Sequence, residues 1–495
     1  MTTEIAWRVF YTRRHLALPQ AADPLISTLW DLDEWLDVND VPDGRPYLIA
    51  PDGRYDIELN RYFETELNAS PEDTQKATAS DLKLWLTFLW VSRDRTDWRE
   101  ATPDDRAAYK HWRTVAARGP HVDLVTWDRE VATVNQFYKW AVRHKHCTKN
   151  PIVQRESRSS YQHPHHRQGA AQTPAEASHQ APRRDVVWLT PAMYRSWRDV
   201  GVRGFTSAGL PDFSFRGRFG ARNAAYSNMM IRTGMRLCEQ TSLSVFELPH
   251  LVPGQLNART WLPWRIAKYG SARHIYIPAS SLKELWDYVE EERAEAIETA
   301  RDAGVYERIR NPLIIADRTN PFVEIDGQRV TIDQLSHAER RRLLIDARDG
   351  LEPAALWLNE TGLPSARSCW QEVFKTANKR CTRQRLNLRC HPHALRHSYA
   401  VITLEQLWRG HIQDLAAMNP TQRQTHQMVF GDPLNWVRMR LGHRSVVTTL
   451  RYLHALQDLE MQTRMALIPD DWEPTGTHPQ DLTDTTESDP EETSE

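Results

Sequence analysis

Five side chains in three separate motifs have the types and spacing that chemistry at a phosphodiester requires. Tyr452 follows His443 by nine positions. Upstream, His393 and Arg396 share the motif His-Ala-Leu-Arg, and Arg236 lies in Thr-Gly-Met-Arg-Leu-Cys-Glu. Attack on a phosphodiester adds negative charge to its non-bridging oxygens, and two permanently cationic, forked guanidiniums suit that charge. Donors already in place where charge develops usually supply the largest part of catalysis.

The tyrosine and the histidines fit the same reaction. A tyrosine hydroxyl, with a pKa of about 10, is a weak nucleophile at neutral pH unless a neighbour assists it. Histidine can donate a hydrogen bond or move a proton in that range. Taken singly, each of these residues is more common in packing or on the surface than in catalysis. Their order and local sequence in combination are therefore more informative than any one of them.

These motifs resemble those of the tyrosine recombinase (phage integrase) family, whose members cut and rejoin DNA through a tyrosine–phosphate bond. The resemblance extends over roughly residues 75–470. It implies that Arg236 and Arg396 clamp the phosphate. It also implies hydrogen-bonding and acid–base roles for His393 and His443, and it makes Tyr452 the nucleophile.

Two residues beside the motifs are expected to support the site. Glu239 matches an acidic position that is frequent in the family, where it would orient Arg236. His397 follows Arg396 directly, and we expect it to pack or to act from behind the catalytic residues. No metal or other cofactor is expected, because the covalent intermediate conserves the energy of the cleaved bond.

The remaining group that the resemblance implies is a lysine on a β-hairpin. The candidate hairpin spans 264–278, where Tyr-Gly-Ser at 269–271 is a turn signal and 274–278 alternates like a strand. Lys268 precedes the turn, where the family places its general acid. Arg273, after the turn, is expected to contact DNA.

A run of basic residues before the His393 motif predicts a surface that follows DNA phosphates. Between 374 and 396 the chain has basic residues and no acidic one. The expected DNA contacts within this run are Lys375, Lys379, Arg380, Arg383 and Arg385. The alternative interpretation is an ordinary solvated helix face.

The overall composition is consistent with a DNA-acting protein of the bacterial cytosol or nucleoid. The formal net charge is −2, but residues 475–495 carry acidic groups and no Lys or Arg, so the remainder is net positive. The five cysteines lack the paired spacing of a zinc site or a disulfide framework, which predicts reduced thiols. No signal peptide and no apolar run of about 20 residues is present, so no membrane partner is expected.

Five segments are predicted along the chain. Residues 1–70 form an N-terminal extension of unknown role. Residues 71–155 show helical periodicity and resemble the core-binding (DNA-binding) domain of tyrosine recombinases. Residues 156–186 have the composition of a flexible linker, which would let two domains close around a duplex. The catalytic domain spans 187–473, and an acidic disordered tail occupies 474–495.

The predicted fold class is mainly α with a small β-hairpin or sheet (α+β). The stretches between the hairpin and the His393 motif, and between Arg396 and His443, are longer than in a compact member of the family. Insertions are therefore expected near 305–360 and 405–432.

The sequence thus predicts a site-specific DNA recombinase, an integrase or transposase of a mobile element, with a 3′-phosphotyrosine intermediate. The expected partners are double-stranded DNA attachment sites, further copies in a homotetramer on two DNA sites, and accessory DNA-bending or directionality proteins. Three alternatives stay open: a chromosome-dimer resolvase, a type IB topoisomerase-like strand transferase and a catalytically inactive DNA-binding regulator on the same fold. The intact set of catalytic residues argues against the last.

Overall fold

The structure is a computed structural model, and it describes residues 6–13, 38, 41–156, 172–178, 186–309, 311–325, 327–417 and 432–465. The chain divides into two compact units, 1–183 and 184–495. Helices dominate both units and the strands form small separate sheets, so the predicted mainly α, α+β fold class is confirmed. In the described part of the chain, no helix has both the length and the apolar character that crossing a membrane requires.

The first unit is built on helices with short paired strands at its edges. Its described helices are α1 (Ile57–Thr65), α2 (Glu72–Ser92), α3 (Pro103–Thr114) and α4 (Leu124–Arg143). Strand β1 (Arg8–Tyr11) pairs antiparallel with β2 (Pro46–Ile49), and β3 (Gln154–Glu156) pairs with β4 (Gln172–Pro174). Helix α3 begins with a capping box, because Thr102 and Asp105 satisfy each other's backbone N–H groups.

Several of the described residues before α2 pack into the same core as the helices that follow. Trp7, Leu48 and Phe63 are buried in one cluster with Trp85 and Trp140. The two buried tryptophans of α2 and α4 are therefore core residues, and they are not available as platforms for stacking bases.

Part of the predicted flexible linker is folded onto this unit. Residues 172–178 lie within the 156–186 segment, yet Glu176 accepts hydrogen bonds from Nε and Nη2 of the buried Arg106 at 3.0 and 2.5 Å. The indole N–H of Trp127 donates to the Glu176 carbonyl at 3.1 Å. This stretch is thus corrected from a free connector to a strand and turn packed on the first unit, while residues 157–171 and 179–185 of the predicted linker and the acidic tail lie outside the described residues.

The second unit holds all the candidate site residues. Its described helices are α5 (Pro191–Trp197, continued by a π-helix over Arg198–Arg203), α6 (Gly220–Thr233), α7 (Leu237–Thr241), α8 (Ala279–Glu290), α9 (Glu292–Asp302), α10 (His337–Arg340), α11 (Arg367–Arg383), α12 (Pro392–Ala417), α13 (Pro433–Leu441) and α14 (Val446–Met465). Helix α6 packs against α8 and α12, and Tyr226 of α6 stacks on Trp370 of α11 in the main core.

Strands of the second unit form two hairpins and one three-stranded sheet. Strand β5 (Asn257–Leu262) pairs antiparallel with β6 (Arg273–Pro278). The second strand matches the predicted one at 274–278, but the first strand ends before the predicted range of 264–278 begins. A second hairpin joins β8 (Phe322–Ile325) and β9 (Gln328–Thr331). In the sheet, the central β10 (Leu343–Ala347) is antiparallel to β11 (Gly350–Pro353) and parallel to β7 (Leu313–Ile315).

The two stretches expected to be insertions have different structures. The segment 305–360 carries β7 to β11. Its buried residues form one small apolar core among themselves and a second one together with Ile297 and Ala300 of α9. Around 405–432, α12 simply continues to Ala417, and residues 418–431 lie outside the described part.

The Glu-rich stretch from 281 to 303 is divided between two helices. Glu291 (φ −105°, ψ −92°) separates α8 from α9. No glycine or proline marks the break, so the sequence pattern gave no sign of it.

Candidate active site

A tight turn at the end of α6 delivers Arg236. Gly234 ends the helix at φ +65°, and a Cβ at that position would lie 2.3 Å from the ring of Tyr399. Glycine alone suits such a left-handed and crowded position. Helix α7 starts directly after Arg236, whose backbone N–H donates to Glu239 Oε2 at 2.9 Å. The backbone is therefore fixed on both sides of Arg236.

Glu239 is a fully buried carboxylate shared by two arginines. Its Oε1 accepts from Arg236 Nη1 at 2.8 Å, and its Oε2 accepts from Arg273 Nη2 at 2.7 Å. Burial by itself would raise the pKa of Glu239, but Arg273 and Arg236 outweigh it and lower the pKa to about 2. The carboxylate stays ionised, and it holds Arg236 in one orientation.

Arg273 is not the surface DNA contact that the sequence suggested. Its side chain is buried, it pairs with Glu239, and its Nε donates to the carbonyl of Arg440 at 2.9 Å. Along β6 the buried positions alternate, so Arg273 shares a face with Ile275 and Ile277. That alternation was visible in the sequence and could have predicted an inward-facing arginine.

Arg396, near the start of α12, connects the ends of two other helices. Its Nη1 donates to the carbonyl of Gly234 after α6, and its Nη2 donates to the carbonyl of Leu441 at the end of α13. Burial and then the charge of Arg236 lower the pKa of Arg396 to about 9. The guanidinium therefore remains charged at neutral pH.

A cavity of about 250 Å³ lies between the two predicted clamp arginines. Its lining residues are Met235, Arg236, Leu237, Gln371, His391, Pro392, His393 and Arg396. Since one water molecule takes about 30 Å³ in the liquid, the cavity has room for a phosphodiester group. The structure thus brings Arg236, His393 and Arg396 together around one anion-sized space.

Two lining residues were not singled out from the sequence. Gln371 comes from α11, and nothing local marks it. His391 lies two positions before His393, and its Nδ1 accepts the backbone N–H of Ala394 at the start of α12. Its nearness to the His393 motif was the only available signal.

Tyr452, on α14, is buried and is not among the residues that line the cavity. Its hydroxyl is 3.0 Å from Nδ1 of His397, the residue that we expected only to pack or support. Burial raises the pKa of Tyr452, while the charges of Arg396 and Arg451 lower it in part. The phenol is thus neutral at pH 7 and keeps its proton until a base removes it.

His443 lies beside the same tyrosine in a different orientation. Gly442 ends α13 in the left-handed region at φ +63°, and His443 follows it. Its Nδ1 is 3.0 Å from the hydroxyl of Thr449, and its ring is nearly parallel to that of Tyr452 with centroids 6.1 Å apart. Burial and the charge of Arg396 lower its pKa to about 3, so the ring is neutral.

Lys268 lies in the connection between β5 and β6, within a 3₁₀ turn at Lys268–Gly270. Its backbone N–H is 3.4 Å from Glu239 Oε1, while its ammonium is exposed and lies 5.0 Å from the ring centroid of Tyr269. The turn is tied to the His443 segment, because Arg444 Nη2 donates to the carbonyl of Tyr269 at 2.8 Å. The backbone of Lys268, and not its amine, therefore makes the contact with the arginine network.

Most of the predicted DNA-contacting run is exposed on or just after α11. The exposed members are Lys375, Lys379, Arg383 and Arg385. Arg380 is the exception, and its assignment is corrected: it is 13% exposed and donates to Asp212 Oδ2 and to the Val200 carbonyl, both at 2.6 Å. It lies three residues after the buried Ala377 and next to the buried Cys381, so helical spacing places it near the packed face.

Comparison with known proteins gives only distant similarity. No family model matches the chain, and no curated protein does. Among solved structures, the chain is similar to the Tn1549 transposon integrase in complex with a circular intermediate DNA (13% identity, 82% of this chain and 98% of that one, TM-score 0.44). It is also similar to the XerH site-specific recombinase bound to a palindromic difH substrate (13%, 83% and 88%, 0.44) and to a lambda integrase dimer bound to a COC′ core site (13%, 80% and 94%, 0.42). At these identities and TM-scores the similarity carries no functional conclusion.

Proposed function

We propose that this chain is a tyrosine-type site-specific DNA recombinase, the integrase or transposase of a mobile element. One arrangement carries the proposal. Two guanidiniums and a histidine line one cavity, and α12, which supplies two of those groups, also contacts the hydroxyl of Tyr452 through His397. We propose double-stranded attachment sites as the substrate and a homotetramer on two sites as the active assembly. Accessory DNA-bending or directionality proteins complete the proposed partners, in the bacterial cytosol.

The buried network around Arg236 and Arg396 suits a phosphate clamp. Glu239 accepts a hydrogen bond from the Arg236 guanidinium. Two backbone carbonyls accept hydrogen bonds from two of the five N–H groups of Arg396. The remaining N–H groups are available to the non-bridging oxygens. Because the two guanidiniums are held before substrate arrives, they stabilise the developing charge without reorganising.

The proposed reaction exchanges one phosphoester for another. The Tyr452 oxygen attacks phosphorus, and the bond to the 5′-oxygen breaks, which gives a 3′-phosphotyrosine and a free 5′-hydroxyl. His393 and His443 donate hydrogen bonds to the phosphate, and Lys268 protonates the departing 5′-oxygen. The 5′-hydroxyl of a partner strand then reverses the steps. The scheme uses no metal, so cleavage is expected to persist in EDTA.

Trapping the covalent intermediate tests this function. Wild-type protein is incubated with a nicked suicide duplex that carries the repeats flanking its gene, and a denaturing gel detects the adduct. Tyr452→Phe is expected to bind the duplex and form no adduct, whereas Tyr399→Phe is expected to form it. An adduct in Tyr452→Phe would move the nucleophile elsewhere. Relaxation of plasmid without any strand exchange would instead indicate a type IB topoisomerase-like activity.

A further inference from the structure

Resting on that proposed function, we propose that His397 is the general base that takes the phenolic proton of Tyr452. Its Nδ1 stands 3.0 Å from the Tyr452 hydroxyl, within hydrogen-bond distance. Both side chains are buried, so water does not compete for this contact. His397 therefore touches the atom that would attack phosphorus.

The ring is held in the form that a base requires. Burial and then the neighbouring His393 lower the pKa of His397 to about 3, so the imidazole is neutral at pH 7 and can accept a proton. The negative charge of a bound phosphate raises that pKa and strengthens the base. If Nδ1 accepts the phenolic hydrogen, the proton of the neutral ring is on Nε2. His393 lies one helical turn earlier on α12, with ring centroids 4.4 Å apart, and it lines the phosphate cavity. The proposed base therefore lies one helical turn from a residue that lines the phosphate cavity.

The other groups near the phenol are poorly placed for this role. His443 has its Nδ1 at the Thr449 hydroxyl, and its ring is nearly parallel to that of Tyr452 with centroids 6.1 Å apart, whereas Nδ1 of His397 is within hydrogen-bond distance of the Tyr452 hydroxyl. Arg396 and Arg451 are cations that lower the pKa of the phenol, but a guanidinium has no lone pair to accept a proton. Those charges stabilise the phenolate as it forms, and His397 receives its proton.

The proton transfers balance on the two sides of phosphorus. As Tyr452 Oη bonds to phosphorus, its proton passes to His397 Nδ1. The bond between phosphorus and the 5′-oxygen breaks, its electron pair leaves with that oxygen, and Lys268 supplies the proton. In rejoining, the incoming 5′-hydroxyl returns a proton to Lys268, and His397 returns its proton to the departing oxygen of Tyr452.

The first test is the rate of adduct formation in full-length variants on the suicide duplex. His397→Ala is expected to bind DNA normally and form the adduct 10²–10⁴-fold more slowly, roughly the contribution of a general base. Added imidazole should restore part of that rate. His397→Gln keeps a hydrogen-bond acceptor and a similar volume, so Tyr452 should keep its position. Because the amide cannot hold the proton, this variant should also form the adduct slowly. The matched control is at His250, whose ring stacks on Trp286, and His250→Ala should react like the wild type.

A second readout separates a base from a packing residue. Fluorotyrosine at position 452 has a more acidic phenol, which needs less help from a base. The ratio of wild-type to His397→Gln rates should therefore shrink in the fluorinated protein. A 5′-bridging sulfur, which relieves a defect in the acid, should leave the defect of His397 variants unchanged.

Several outcomes would overturn this role. Rates in the His397 variants at or above wild type would mean that the contact only holds Tyr452 in a resting position. A slow His397→Ala without imidazole rescue, together with an unchanged ratio in the fluorinated protein, would mean that His397 is structural. An adduct in Tyr452→Phe would instead defeat the proposed function itself, which is a separate and distinguishable failure.

Discussion

At the scale of single residues, one buried carboxylate keeps the clamp together. Glu239 lies between Arg236 and Arg273, and the charge of Arg396 also reaches it. Without its negative charge, the guanidiniums would repel one another in a site that water cannot screen. Breaking a buried ion pair by removing one partner typically costs about 3–5 kcal/mol.

We therefore predict that Glu239→Gln lowers the free energy of unfolding by about 3–5 kcal/mol at pH 7. The pKa of Glu239 is about 2 in the folded protein and 4.5 by its ordinary value. Its contribution is thus complete above about pH 4.5 and is lost as the pH falls towards 2. Urea unfolding of the wild type and of Glu239→Gln is measured from pH 6 down to the lowest pH at which both fold. The difference between their free energies of unfolding should narrow below pH 4.5. A difference that stays constant would contradict this linkage.

Lys268 gives the second residue-scale prediction. An alkoxide leaving group is about as basic as hydroxide, with a conjugate-acid pKa near 15.7, whereas a thiolate, at about 8.5, needs little protonation. Lys268→Ala should therefore form the adduct about 10²–10⁴-fold more slowly on ordinary DNA. A 5′-bridging sulfur should restore most of that rate, measured in single-turnover assays.

Arg236→Ala is the control for this substrate, because its defect lies in charge stabilisation and sulfur should not rescue it. If sulfur leaves Lys268→Ala as slow as before, Lys268 is not the acid. One of His393 and His443 would then take that role.

At the scale of elements, the site depends on where helices end. The carbonyl of Gly234 after α6 and that of Leu441 at the end of α13 both accept from Arg396 on α12. Both of these helix ends are closed by a glycine in the left-handed region, Gly234 and Gly442. The proposed clamp is therefore assembled from helix termini, so a change in one turn is expected to displace one of its side chains.

We predict that Gly234→Ala damages both stability and activity. The new Cβ would meet the Tyr399 ring at 2.3 Å in a left-handed backbone, and such strain costs on the order of 1–3 kcal/mol before the clash is added. Thermal unfolding and adduct formation should both report the loss. Gly410→Ala, inside α12 with nothing within 4 Å of the new Cβ, is the control, and it should be stabilising by about 0.5–1 kcal/mol. Equal effects from the two substitutions would contradict the turn's role.

At the scale of the whole molecule, charge is distributed unevenly. The exposed basic residues around the end of α11 remain a proposed surface for binding DNA phosphates. Arg380 and Arg273 instead form ion pairs within the protein. Phosphate contacts release counterions, so binding should weaken steeply as salt rises.

We predict that Arg383→Ala reduces the slope of log affinity against log salt by about 1, as expected for one lost phosphate contact. Arg380→Ala should leave that slope unchanged and destabilise the fold, because it removes the ion pair with Asp212 and the hydrogen bond to the Val200 carbonyl. Binding titrations at several salt concentrations, with thermal unfolding of both variants, make the comparison. A reduced slope for Arg380→Ala would contradict its internal role.

The sequence by itself determined the features that depend on neighbours along the chain. The cap of α3 at Thr102 depends on local hydrogen bonding, and the hairpin strand that ends at Pro278 follows the alternation visible at 274–278. The types and order of the arginines, histidines and tyrosine are likewise visible in the sequence, and their side-chain chemistry alone indicates a reaction at a phosphodiester. The break at Glu291 is not visible there, because no local residue type marks it.

Only the tertiary structure decided which groups face one another. Local pattern could hint that Arg273 and Arg380 point inward, but Glu239 and Asp212, which neutralise them, are distant in sequence. His397 looked like a supporting residue until folding placed it against Tyr452, 55 positions away. Burial, partner choice and pKa depend on what packs opposite a side chain, and that is fixed only when α12, α13 and α14 come together.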